Sequence, residues 1–169
     1  MKKMILLFFV CSLFLQCGYH LRGTGSTLPP HIKLLSIPMF ANRTTRFELD
    51  LKLTQGVIDE MISRGKVEIT DEMENADAVL IGEILRFQAN PIGFGEDATA
   101  DRYNISIVAK VILRDLVQNK VIFSNSSFVY QGEYDVPEGV DFESLETEAI
   151  DEMAVKFARS LVVSILEGF

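Results

Sequence analysis

From Tyr103 to Arg114, apolar and polar residues alternate: Tyr103, Ile105, Ile107, Ala109, Val111 and Leu113 fall on one side, Asn104, Ser106, Lys110 and Arg114 mostly on the other. A period of two sends successive side chains to opposite faces, which describes a half-buried antiparallel strand. Val121 to Glu133 is long enough to pair with it, and the turn between them, Leu116 to Lys120, contains Asn119, a residue suited to positive φ. At ~3.4 Å per residue the hairpin spans about 40 Å, against ~17–20 Å for an ordinary strand. A ribbon of that length needs helices over one face, and part of it is expected to project past them.

The remaining segments supply the rest of a sheet and its cover. Ile32 to Pro38 reads as a short apolar strand stopped by proline. Asn42 to Thr45 reads as a loop with N-cap candidates, and a helix is expected from about Arg46 to Arg64 with Gly65 as its C′ residue. Phe47, Leu51, Ile58, Met61 and Ile62 share one broad face of that helix, expected to pack on the sheet, while Leu49 and Leu53 lie off it. Lys66 to Thr70 and Ala78 to Phe87 read as strands around an acidic loop, and residues 88–102 as a long loop. After the break at Pro137-Glu138-Gly139, Ala149, Ile150, Met153, Phe157, Leu161, Val162 and Ile165 make a sustained helical stripe. The order β-α-β-β-β-β-α implies an α+β fold: a mixed or antiparallel sheet of four to five strands with two long helices on one face.

The N-terminus carries a different message. Lys2 and Lys3 precede an apolar run from Met4 to Leu15, interrupted only by Ser12. That run is shorter than the ~20 residues needed to cross a bilayer, so it reads as the core of a signal peptide. It ends in Leu13-Phe14-Leu15-Gln16-Cys17, which resembles the lipobox of bacterial lipoproteins, although Phe14 and Gln16 depart from the usual leucine and small residue. The expected organisation is a signal peptide over 1–16, a lipidated tether over 17–30 and a single domain over 31–169. Two or three acyl chains on Cys17 make a stable anchor where one does not. Cleavage also removes Cys11, so no thiol is left for a disulfide. Removing Lys2 and Lys3 moves the formal charge from −8 to −10, which argues against nucleic acid as a partner.

Signatures of catalysis are scarce. No Gly-rich phosphate loop, Cys/His metal cluster or G-x-S-x-G elbow occurs, so neither an enzyme nor a cofactor or metal site is expected. The two histidines, His20 and His31, read as tether or loop residues. Glu83 is the one carboxylate singled out, because Ile81, Leu85 and Phe87 share its side of the strand and would raise its pKa. The more ordinary reading is an edge or satisfied core carboxylate. Gly93-Phe94-Gly95 reads equally as a ligand loop or a hairpin tip.

Cys17-Gly18-Tyr19-His20-Leu21-Arg22-Gly23 is the most specific string in the chain, and it resembles the mature N-terminus of the LptE family of outer-membrane lipoproteins of LPS assembly. The likeness continues at the level of pattern through the first strand, the helix after it, the strand opened by Tyr103 and the C-terminal helix. It implies a non-enzymatic protein on the periplasmic side of the outer membrane, a destination that Gly18 after the cysteine also suits. It further implies a plug and assembly partner of a large outer-membrane β-barrel, the LptD-like LPS translocon, with LPS as a second candidate ligand. Tyr19, His20 and Arg22 would lie at the membrane or the partner, since an aromatic ring and a guanidinium suit the headgroup region. Pro91, Phe94 and Arg102 would reach into the barrel lumen. The family's basic LPS-contact positions are mostly acidic here, which leaves Arg86, Arg102, Lys110 and Arg114 as candidates.

Two other readings remain open at this stage. An activator of a peptidoglycan synthase could share such a domain, but it needs a longer tether than the one between Cys17 and the first strand. A small-ligand-binding envelope protein or enzyme would work through Glu83 or residues 91–95.

Overall fold

The computed structural model describes residues 28–95, 99–137 and 140–167. The expected signal peptide and the expected tether residues Cys17, Tyr19, His20 and Arg22 lie outside these.

The chain forms β1 (Leu34–Ser36), β2 (Ala41–Asn42), α1 (Leu49–Arg64), β3 (Glu68–Thr70), a 3-10 turn (Met73–Asn75), β4 (Ala78–Phe94), β5 (Ala100–Asp115), β6 (Lys120–Asp135) and α2 (Phe142–Glu167). The sheet runs β3-β1-β4-β5-β6, with β2 also pairing to β4, so it is open and has six strands. β1 is parallel to both β3 and β4, whereas β4, β5 and β6 form an antiparallel meander. The α+β architecture expected from the sequence is present, with the two-residue β2 added.

Alternation decides which face of the meander is covered. Ile105, Ile107, Ala109, Val111 and Leu113 of β5 are completely buried, in one core with Leu49, Leu53, Val57 and Met61 of α1 and Met153, Phe157 and Leu161 of α2. Both helices therefore cover the same face. Aromatic contacts run along α2: Phe142 stacks on Tyr103 at a centroid distance of 4.3 Å, and Phe157 meets Phe128 edge-on at 5.5 Å. The inner face of β5 is thus covered from Tyr103 to Leu113, and the β5–β6 ribbon does not project along this length. The projecting part is the far end of β4, where Ile92 and Phe94 are exposed.

That end corrects the long loop expected over 88–102. β4 continues to Phe94 and β5 begins at Ala100. Proline in a strand interior usually argues against a strand. Here β4 has β1 and β2 beside it only as far as Ile84, and beyond that only β5. Pro91 sits in this edge stretch, where a missing N–H on the free side costs no ladder bond. Gly93 lies close to its neighbour strand: a Cβ would sit 2.5 Å from the Asp101 carboxylate, which would have to swing aside, and 3.0 Å from the Arg102 Cβ.

Helix α1 is rolled from the face expected: Met61 and Ile58 of that face pack on the core, but the rest of it does not. Leu49, Leu53, Thr54, Val57 and Met61 point inward, while Phe47 is 85% exposed and Leu51 and Ile62 are about half exposed. Its roll is set by α2: Gly56 packs so close that a Cβ would sit 3.2 Å from the Ala154 carbonyl. Lys52 bonds Asp151, and Arg46 bonds Glu146 at 2.7 Å. The helix begins at Leu49, not Arg46, because Asn42 and Thr44 spend their side chains on a local turn: Asn42 Oδ1 accepts from the N–H of Thr44. Glu48 precedes the helix in the left-handed region without a side-chain cap. At the other end Gly65 takes φ 60° as expected, and so does Asn119 at φ 51° in the β5–β6 turn.

Candidate functional site

The side of the sheet away from the helices is open. Antiparallel register places Arg114 beside Val79, Ile112 beside Ile81, Lys110 beside Glu83 and Val108 beside Arg86 on this face. On β6, Val129 is paired with Val108 and is half exposed, as is Val121, the neighbour of Arg114. Exposed Ile81, Leu85, Val121 and Val129 are thus interleaved with Arg86, Lys110 and Arg114. The uncovered face is therefore mixed, with apolar side chains set between basic ones.

A bulge at Leu85 shapes the surface. The register shifts between Ile84 and Arg86, so Leu85 is the extra residue and the side-chain parity of β4 changes beyond it. Arg86 is thereby turned outward. Phe87 is turned to the core side, where the Arg46 guanidinium lies 5.6 Å from its ring. The expected apolar setting of Glu83, with Phe87 beside it, does not form. Glu83 is half-buried, and its Oε1 accepts from Arg43 Nε at 2.7 Å. This bond, with the positive charges of Arg43 and Lys110, holds its carboxyl below the usual range despite some desolvation. The raised-pKa alternative is overturned and the more ordinary reading, a satisfied carboxylate, holds: Glu83 is paired with Arg43, which β2 brings alongside β4.

All four basic candidates share the open face, but they do not converge. Arg86 and Lys110 are near neighbours, and Arg114 lies four residues further along β5. Arg102 is eight residues from Lys110 in the other direction, roughly 27 Å along the strand. Its Nε donates to Asp135 Oδ1 at 2.7 Å, and this bond with the nearby acidic charges raises its pKa. Both partners are largely exposed, and such surface pairs contribute only about 0–1 kcal/mol, so an incoming phosphate could displace the carboxylate. Pro91 and Phe94 lie near Arg102 at the β4–β5 end, both exposed, and the N–H of Gly95 closes the turn onto the Thr99 carbonyl at 2.9 Å.

One polar cluster had no signal in the sequence. His31 Nε2 and Asp115 Oδ2 are 2.7 Å apart, across 84 positions of chain. Asp115 is nearly inaccessible. Burial pushes its carboxyl up, but the N–H of Gln118 and the bond and charge of His31 more than offset this, and its pKa is lowered. Beside it, Asp77 Oδ2 accepts from the N–H groups of Lys33 and Leu34 at 2.8 and 2.9 Å. The N–H of Leu116 donates to the Asp77 carbonyl at 2.8 Å. Together these bonds latch the start of β1 to the β5–β6 turn.

No cluster of His, Cys, Asp or Glu with metal-ligand geometry occurs among the described residues. A cleft of about 380 Å³ between the end of β6 and α2 is lined by Glu133, Asp135, Glu148 and Glu152. Asp135 and Glu152 are already paired with Arg102 and Lys156. No described helix is long and apolar enough to cross a membrane.

Solved structures share this fold. The hypothetical protein CT253 from Chlamydia trachomatis matches with TM-score 0.55 at 15% identity, covering 82% of this chain and 97% of that one. Protein XCC0632 from Xanthomonas campestris matches with TM-score 0.55 at 13% identity, over 81% and 85% of the two chains. The PelC dodecamer from Paraburkholderia phytofirmans gives TM-score 0.51 at 18% identity, over 85% and 94%. At these identities the likeness concerns the fold alone. Comparison with curated protein sequences finds no match. The family model described as Lipopolysaccharide-assembly matches residues 32–165, which takes in every strand, both helices apart from the last residues of α2, and the open face. The chain therefore belongs to the LptE family of lipopolysaccharide-assembly proteins.

Proposed function

We propose that this protein is an outer-membrane lipoprotein, anchored through acylated Cys17 on the periplasmic side, that acts as plug and assembly partner of a large LptD-like β-barrel in LPS export. The observation that carries this reading is the open face of β4, β5 and β6. It is long, continuous and left bare by both helices, and it exposes Ile81, Leu85 and Val129, apolar side chains that a partner would cover. A barrel wall is itself a curved sheet, and a face some 16 residues long suits it. The Cys-Gly-Tyr-His-Leu-Arg start supports the anchor, with Tyr19, His20 and Arg22 at the headgroup level. Pro91, Phe94 and Arg102, at the end of the sheet that extends past the helices, would reach furthest into the lumen. Arg86 and Lys110 are the paired cations best placed to meet an LPS phosphate.

Affinity purification of the lipidated chain from native membranes tests the reading. A large β-barrel should co-purify in detergent. Replacing Ile81→Glu and Val129→Glu should release it, while circular dichroism of the variant stays native because both sites are exposed. A stable monomer in native membrane extracts would refute the assignment.

A further inference from the structure

The His31–Asp115 latch fixes where the tether leaves the domain. With Leu28 packed against the core and His31, Lys33 and Leu34 bonded to Asp115 and Asp77, the first described residues lie beside the β5–β6 turn. Ten residues, 18–27, separate Cys17 from Leu28, and fully extended they reach no more than about 35 Å. The turn therefore lies at the end of the domain from which the tether leaves.

Its composition is unusual for a turn. Gly, Asn, Asp and Ser normally dominate such positions, yet Leu116 is 37% exposed, Val117 is 65% exposed and adjoining Val121 is 43% exposed. The core does not need them. Around them Lys33, Arg114 and Lys120 are exposed, and none enters an ion pair among the described residues. Of the nearby acids, Asp77 and Asp115 are occupied by backbone N–H groups and His31, and Glu68 lies beside Lys33, to whose carbonyl its N–H donates. The opposite end of the sheet is acidic, with Asp101, Glu133 and Asp135 around the single Arg102. In a chain of net charge −8, Lys33, Arg114 and Lys120 thus place three cations beside the tether exit, while Arg86 and Lys110 lie further along the open face.

We propose that the β5–β6 turn seats on the membrane: Leu116 and Val117 enter the headgroup–acyl boundary of the leaflet that holds the lipid on Cys17, and Lys33, Arg114 and Lys120 meet its anionic phosphates. This rests on the lipid anchor proposed above. It directs the long axis of the sheet away from the bilayer, with Phe94 roughly 50 Å distant at the other end of β4.

The test uses the lipidated full chain in vesicles of phosphatidylethanolamine and phosphatidylglycerol. An environment-sensitive fluorophore is placed at Val117→Cys or Phe94→Cys, and the parent chain is labelled in parallel to report any thiol left at Cys11 or Cys17. The Val117 probe should shift to the blue and be quenched by spin-labelled lipid at least about threefold more strongly than the Phe94 probe. Arg114→Glu with Lys120→Glu, or exchange to phosphatidylcholine vesicles, should weaken that quenching by about half or more. Vesicle flotation with equal quenching at both probes overturns the turn contact while leaving the anchor standing. Quenching at Val117 that ignores charge reversal overturns the role given to the basic residues. Failure of the chain to float with vesicles overturns the anchor itself, and the seating with it.

Discussion

Replacing Gly82 by alanine tests how the two faces of the sheet are joined. Gly82 lies on the covered side of β4, directly beneath the ring of Phe40, and a Cβ there would come within 2.5 Å of three ring carbons. Carbon atoms pack at ~3.5–4.0 Å, so the ring has to withdraw by about 1–1.5 Å. It has little room, since Phe40 is 2% exposed and its N–H donates to Thr54 Oγ1 of α1 at 3.0 Å. Overpacking of this kind costs about 1–3 kcal/mol. The φ of Gly82 is not positive, so alanine also recovers about 0.4–1 kcal/mol by stiffening the unfolded chain. The net loss is about 1–2 kcal/mol, a fall in Tm of roughly 3–10 °C for a domain of this size. Phe40→Ala alone should cost about 3–5 kcal/mol. In the double variant the new methyl occupies part of the vacated space, so it should be no less stable than Phe40→Ala. Thermal and urea denaturation followed by circular dichroism read all three. A neutral Gly82→Ala, or costs that simply add, would refute the close approach of ring and strand. Phe40 also leads into β2, which carries Arg43 to Glu83, so the Glu83 carboxyl should move up toward its ordinary pKa in Gly82→Ala when followed by NMR.

Two further outcomes follow from burial and charge. Leu53→Ala should cost about 2–5 kcal/mol, while Leu51→Ala, half exposed on the same helix, should stay within about 0.5 kcal/mol; the reverse order in urea denaturation would mean that α1 is rolled the other way. Asp115 has a folded pKa below its ordinary value of 3.8, so its contribution is fully present above that value and is lost as pH falls through the folded pKa. Asp115→Asn should therefore be less stable than the parent chain at neutral pH, and the gap in Tm should close in acid below about pH 4. A gap that widens on acidification would show that the latch carboxylate is not stabilised in its charged form.

Much of the architecture was readable because it rests on short-range chemistry. Alternation in Tyr103–Arg114 is enough to specify a strand with one buried side, and every inward residue from Ile105 to Leu113 is fully buried. Gly65 and Asn119 marked their bends because few residues tolerate positive φ. The α2 stripe was unambiguous, since only one apolar face exists on that helix. Helix α1 offered two, Phe47-Leu51-Ile58-Ile62 and Leu49-Leu53-Val57-Met61, both at helical spacing. Periodicity cannot choose between them; the close approach of Gly56 to α2 does.

The candidate surface was only partly legible. Arg86, Lys110 and Arg114 could be named from their places in strands, but Arg86 joins the face of the other two only through the bulge at Leu85, which nothing local announces. The same bulge removed the apolar surroundings inferred for Glu83, and β2 supplied its Arg43 partner. Pro91 argued for a loop on local grounds and was accommodated because β4 there has a free edge, a fact about strand order. His31 and Asp115 lie 84 residues apart and meet only when β1 and the β5–β6 turn reach the same end of the sheet. Sequence by itself determined most of the strands and both helices, since local sterics and the period of apolar residues act over a few residues; β2 and the far end of β4 escaped it. Tertiary structure alone decided which stripe is buried, which charges are paired and which end of the sheet His31 reaches, because those depend on contacts between segments far apart in the chain.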